Sequence, residues 1–169
     1  MTLQDLQNYR IKFPKVQHST FRGLDIYGMS APAGGTVAMH ILKIMERFKP
    51  SAWFTDLNLT YHRFVEAMRF GYSARRSLGD PEYVDILDVH HFEHQMLNSS
   101  NIDKVSKLLT DDKSHPPTYY NPEKIWLPES HGTSHLSAAD GSGMAVSLTT
   151  TINLIFGALI MDPESGIIL

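Results

Sequence analysis

The period of the hydrophobic residues changes along this chain, and that change limits what it can fold into. From about residue 37 to 109 apolar residues recur at helical spacing, and from Thr133 onward they recur at every second position. Helices followed by strands make an α+β pattern. The strands are expected at Thr133–Ala139 and Met144–Asn153, joined across Asp140-Gly141 and Ser142-Gly143, a good hairpin connection. Leu136, Ala138, Val146, Leu148 and Ile152 mark the apolar face and are expected to be buried. Thr149-Thr150-Thr151 sets consecutive hydroxyls in the second strand, an unusual run for a strand that otherwise reads as buried.

Upstream, Thr2-Leu3-Gln4-Asp5 resembles a capping box opening a short helix to about Tyr9. Residues 10–30 read as one or two strands, with Gly23 and Gly28 as breaks. The loop Ser30-Ala31-Pro32-Ala33-Gly34-Gly35 leads into an apolar helix from Val37 to about Phe48. A second helix is expected from about Asp56 to Ser77, stopped by Gly79-Asp80-Pro81 and buried along Leu59, Phe64, Ala67, Met68 and Tyr72. Further helices are expected at His91–Leu97 and Ile102–Leu109. Residues 111–131 read as a long exposed loop, of the length that in a compact domain is usually functional or disordered.

Composition excludes some classes. Hydrophobic residues are 42% of the chain, which argues against disorder. A net charge of −3 gives no electrostatic case for nucleic acid. The absence of cysteine removes disulfides and thiolate metal sites. Thr2-Leu3-Gln4-Asp5 lacks the basic lead and apolar run of a signal peptide, and no stretch approaches the roughly 20 apolar residues of a membrane helix. The apolar end at Gly166-Ile167-Ile168-Leu169 reads as a strand cut short, so truncation is expected.

The chemistry centres on Gly132-Thr133. A loop delivers this bond to the edge of a hairpin, and glycine tolerates the strained backbone needed when a neighbouring hydroxyl attacks its carbonyl. Attack by Thr133 on Gly132 would make an ester whose hydrolysis frees Thr133 as an N-terminus. Its α-amine, ordinarily of pKa about 7.7–8.0, is then a base for its own hydroxyl. A bare Gly-Thr pair carries no information, so its surroundings decide.

Those surroundings are Gly132-Thr133-Ser134-His135-Leu136-Ser137, then Ala145 through Gly157, then Pro163-Glu164-Ser165-Gly166-Ile167-Ile168-Leu169. Together they closely resemble the γ-glutamyltransferase (glutathione hydrolase) family, whose small subunit begins at the Thr of a Gly-Thr-x-His-x-Ser motif. Ser30–Gly35 with its helix, and His62-Arg63-Phe64-Val65-Glu66-Ala67 with Arg75 or Arg76 and Leu78-Gly79-Asp80-Pro81, resemble that family too. The resemblance implies an incomplete portion of the αββα sandwich of N-terminal-nucleophile hydrolases. Residues 1–132 would be the C-terminal part of the large-subunit region, and 133–169 the start of the small-subunit region.

By resemblance, Thr133 is the processing and catalytic nucleophile, with Gly132 on the other side of the cleaved bond. Thr151 bonds the nucleophile's hydroxyl, and Asn153 helps hold the amino-acid end of the γ-glutamyl group. The implied donors are glutathione and other γ-glutamyl compounds, and the acceptors are water or an amino acid or peptide. Large and small subunits would come from one precursor, and no metal or organic cofactor is implied. The family's compartments are extracellular, membrane-anchored or vacuolar. Its substrate-binding acids, oxyanion hole and carboxylate-clamping Arg have no counterpart in this chain. A nucleophile without oxyanion donors loses on the order of 10²–10³ in rate, so residues 1–169 alone are expected to be nearly inactive. The alternative is a truncated, inactive remnant serving at most as a scaffold or binding module.

Two further readings carry less. His90 and His94, at helical spacing, could hold zinc, but no third ligand has recognisable spacing and His91 stands where metalloproteases need Glu. Solvated histidines are the expectation. Asn58-Leu59-Thr60 and Asn98-Ser99-Ser100 are glycosylation sequons, with Asn58 the poorer because it falls in an expected helix. His135 has no assigned chemistry at this level, and a structural hydrogen bond is its default.

Overall fold

The computed structural model describes residues 2–51, 55–83, 88–124, 133–152 and 154–168. The chain divides into two compact units, Lys12–Trp126 and Met1–Ile11 with Leu127–Leu169. Among the described residues no helix is long and apolar enough to cross a membrane.

The second of these units opens with helix α1 (Leu3–Asn8). Its capping box forms as expected: Asp5 N–H donates to Thr2 Oγ1, and Thr2 N–H donates to Asp5 Oδ2 at 2.7 Å.

The Lys12–Trp126 unit begins with strands β1 (Val16–Phe21) and β2 (Leu24–Met29), paired antiparallel with Phe21 opposite Leu24. Arg22 and Gly23 turn the chain, both at positive φ (51° and 81°), which is the backbone a two-residue hairpin loop needs. Gly28 does not break the strand, contrary to expectation; it lies inside β2. Its role is clearance. A Cβ there would come 2.8 Å from Met39 Cε and 3.1 Å from Gly35 Cα.

Gly35 opens helix α2 (Gly35–Met45) on the other side of that approach. A Cβ on Gly35 would press on the Met29 carbonyl oxygen and lie 2.6 Å from Met29 N. Both are backbone atoms, which cannot swing away. Gly35→Ala is therefore expected to lower stability by about 2 kcal/mol, the usual cost of overpacking, read from chemical denaturation. A loss under about 0.5 kcal/mol would contradict this close packing.

Helix α3 (Leu57–Arg75) is capped by Asp56, whose carboxylate accepts from Leu59 N–H at 2.9 Å. Helix α4 (Val89–Leu97) is capped by Asp88, and α5 (Ser99–Ser106) by Asn98. The core is Ile44 and Met45 of α2, Ala67 and Phe70 of α3, Ile102 of α5, and Tyr120.

Two further expectations fail in this unit. Of the residues expected to be buried on α3, only Ala67 is; Phe64 is 39% exposed and Tyr72 54%. The buried stripe is Glu66, Ala67, Phe70 and Gly71 instead. It is rotated because Gly71 lets Ile41 of α2 approach closely, and because Glu66 finds partners that offset its burial. The segment from 111 is also not simply an exposed loop. Pro117–Tyr120 forms the short helix α6, and Tyr120 and Asn121 are buried. Residues 125–131 lie outside the described residues.

In the other unit, strands β3 (Ser134–Ala139) and β4 (Ala145–Thr150) form the expected antiparallel hairpin. Asp140 organises its loop: one carboxylate oxygen accepts from Ser142 N–H and Oγ at 2.8 and 2.7 Å and from Met144 N–H at 3.1 Å. Gly143 supplies the left-handed residue, φ 88°. The expected burial of the apolar face is not found. Leu136 sits opposite Leu148 and Ala138 opposite Val146, but Leu136 stays 66% exposed and Leu148 59%. A two-stranded ribbon has no second layer of its own to cover a face.

Candidate active site at the open end of the hairpin

The hairpin register sorts its polar residues onto one face. Ser134 pairs with Thr150, His135 with Thr149 and Ser137 with Ser147. Alternation then puts Thr133, His135 and Ser137 on one side, beside Ser147, Thr149 and Thr151. The Thr run is explained: Thr149 and Thr151 share the polar face, while Thr150 points with the leucines.

Thr133 and Thr151 meet at the open end, where the Thr133 hydroxyl donates to Thr151 Oγ1 across 3.3 Å. Below them, His135 Nδ1 lies 2.8 Å from Thr149 Oγ1 and Nε2 lies 3.0 Å from Ser137 Oγ. Ser137 and Ser147 hydroxyls are 2.9 Å apart. An open concavity adjoins the two threonines, walled by Ile152, Leu154, Ile155 and Phe156. The threonine pair thus sits at the border of a polar ladder and an apolar hollow. Asp140 lies at the opposite end of the hairpin. Its carboxyl is held below the usual range by the hydrogen bonds of its own turn, the Ser142 hydroxyl first.

Of the residues singled out from sequence, Thr133 and Thr151 are brought together. Gly132 and Asn153 lie outside the described residues. His90 and His94 are exposed on α4, and His90 Nδ1 is 3.4 Å from Glu93 Oε2. Among the described residues, no group of three or more His, Asp or Glu is placed to hold a metal. Asn58 and Asn98 are both exposed, Asn98 as the cap of α5.

Two buried carboxylates in the Lys12–Trp126 unit were not legible as such. Glu93, fully buried, accepts from Ala31 N–H at 2.8 Å and the Thr36 hydroxyl at 2.6 Å. It pins the loop between β2 and α2. Glu66, also fully buried, accepts from the Ser114 and Tyr120 hydroxyls at 2.8 and 2.5 Å. Its neighbours act on the same segment. His62 Nε2 donates to the Thr110 carbonyl at 2.7 Å, and Arg63 grips Asp111 with two bonds of 2.8 and 2.6 Å. The Arg63 guanidinium holds the Asp111 carboxyl below its ordinary range. One face of α3 therefore fastens residues 110–120.

His40 is buried at 2% exposure, and its Nδ1 donates to the Met96 carbonyl at 2.7 Å. Burial holds its pKa below the ordinary value. The unfolded chain, with a pKa of about 6.5 here, then binds this proton more readily than the native state. The stability from neutral His40 is full above about pH 6.5 and is lost as pH falls through the folded value. The urea midpoint is expected to drop between pH 7.5 and 5.5, and His40→Gln, which keeps a donor for Met96, is expected to flatten that drop. Equal slopes for both proteins would refute it.

The described residues form a mixed α+β portion in which two threonine hydroxyls meet. The gamma-glutamyltranspeptidase family profile matches residues 1–169, and the chain belongs to that family. It is 36% identical to a glutathione hydrolase of Aspergillus flavus over 169 residues, all of this chain and 28% of that protein. It is 38% identical to a glutathione hydrolase proenzyme of Arthroderma benhamiae, again over all of this chain and 29% of that one. The crystal structure of Helicobacter pylori gamma-glutamyltranspeptidase superposes with a TM-score of 0.60 at 30% identity, over 68% of this chain and 32% of that one. The chain thus spans under a third of the length of these relatives.

Proposed function

We propose that Thr133 is the nucleophile of a γ-glutamyl acyl-transfer and hydrolysis reaction on glutathione and related γ-glutamyl compounds. The observation that carries this is the hydroxyl pair of Thr133 and Thr151, 3.3 Å apart at the mouth of an apolar hollow. Membership of the gamma-glutamyltranspeptidase family supplies the reaction class. The name proenzyme borne by a relative fits a chain that is cut to release its nucleophile.

Self-cleavage comes first. Thr133 Oγ attacks the Gly132 carbonyl carbon, the peptide C–N bond breaks, and the hydroxyl proton passes to the departing nitrogen. Water then hydrolyses the ester, leaving a Gly132 carboxylate and a free Thr133 α-amine. That amine takes the hydroxyl proton when Thr133 attacks a γ-glutamyl amide, and the leaving amine departs protonated. Water or an amino-acid or peptide acceptor takes the acyl group from Thr133. Thr151 holds the hydroxyl in place, and Asn153 contacts the amino-acid end of the substrate. Residues 1–132 and 133–169 belong in this reading to the large and small subunits of a complete αββα sandwich.

The test is the intact mass of the full-length parent protein together with its release from a chromogenic γ-glutamyl amide. Products split between Gly132 and Thr133, with release that depends on Thr133, are the expected result. An uncut protein without release would favour a non-catalytic scaffold.

A further inference from the structure

The geometry points to His135 as the positioning residue that holds Thr151 against Thr133, an inference that rests on the reading of Thr133 as nucleophile. His135 and Thr149 form the register pair two positions inward from the two threonines, on the same face and roughly 7 Å along the strands. The ring reaches three hydroxyls on two strands: Thr149 at 2.8 Å, Ser137 at 3.0 Å and Ser147 at 3.4 Å. Ser137 and Ser147 close the circuit at 2.9 Å.

The physical need is clear from the surroundings. These hydroxyls are exposed, and a lone exposed Ser moves readily between staggered χ1 rotamers, while a Thr chooses among fewer. A two-stranded hairpin is marginal by itself, so its open end frays unless side chains tie the strands. Imidazole suits the task because it is rigid and has two ring nitrogens. When neutral, one nitrogen donates and the other accepts, and the hydroxyls rotate to match; when charged, both donate. Misplacing a reacting group by about 1 Å can cost on the order of a hundredfold in rate, so restraint two residues away reaches the chemistry.

The test uses the protein as its gene encodes it. Intact mass follows cleavage between Gly132 and Thr133 with time, and amide exchange is followed over Ser147–Thr151 in the same samples. His135→Ala is expected to slow cleavage about tenfold, the worth of one or two ordinary side-chain hydrogen bonds, and to speed exchange. His135→Asn, which keeps a polar group facing Thr149, is expected to recover most of the rate. Thr149→Val alone should slow cleavage comparably and add little to His135→Ala, because the two act through one contact.

Wild-type cleavage in His135→Ala overturns the inference and leaves Thr133 in its role. A slow His135→Ala that Asn does not rescue, and to which Thr149→Val adds in full, overturns it as well. A wild-type protein that never cleaves overturns the Thr133 reading instead. Exchange then decides for His135: unchanged rates in His135→Ala overturn its hold on Thr149 and Thr151, and faster rates restored by Asn uphold it.

Discussion

Thr133→Ala is expected to leave the full-length parent protein uncut at Gly132–Thr133 and to reduce its γ-glutamyl release by roughly a thousandfold or more. Alanine removes the only atom of residue 133 that can form the ester or the acyl intermediate. Thr151 Oγ1, the hydroxyl hydrogen-bonded to Thr133, lies 3.3 Å away across the open end of the hairpin. Thr133→Ser keeps the hydroxyl and loses the methyl that restrains χ1, so it is expected to cleave and react, more slowly. The ordering wild type, then Ser, then Ala at background is the measurement that matters. Activity surviving in Thr133→Ala would remove the proposed mechanism altogether.

The second large effect is structural. Glu66→Ala is expected to cost about 3 kcal/mol of stability in denaturant unfolding. The Glu66 carboxylate is fully buried and accepts from Tyr120 and Ser114. Its loss leaves both hydroxyls without their acceptor and opens a void beside Ala67 and Phe70, so desolvation and packing losses add. Glu66→Gln keeps volume and one acceptor and is expected to lose about half as much. Limited proteolysis adds a local readout: residues 110–121 should become the first site of cutting in Glu66→Ala. A loss below about 0.5 kcal/mol would mean the carboxylate does not hold this segment.

This pair of expectations separates what was readable in residue order from what was not. The capping box at Thr2 and Asp5, the hairpin and its Asp140–Gly143 loop, and four of the helices follow from rules acting within a few residues. The meeting of Thr133 with Thr151 was expected from resemblance, and strand alternation places both on one face. His135 had no role until its ring was seen between Thr149 and Ser137. The misreading of α3 has a clear cause. Phe64 and Tyr72 look like core by hydrophobicity, yet α3 turns Glu66 inward, because partners far along the chain satisfy that carboxylate.

Residue order alone therefore determined most of the elements and their order, the Gly132-Thr133 bond as the chemical candidate, and the family. The elements depend on local periodicity, caps and turns, which act over a few residues, while the chemical candidate and the family rest on the resemblance of whole motifs. Tertiary structure decided which face of α3 is buried, why Gly28 and Gly35 must lack a side chain, and how residues 110–120 are fastened. It also set the ladder that joins His135 to the threonine face. Burial of a carboxylate, clearance between backbones and the reach of a ring are settled only when distant segments meet. Thr133 and Thr151, 18 positions apart, come within 3.3 Å because the hairpin register puts them there.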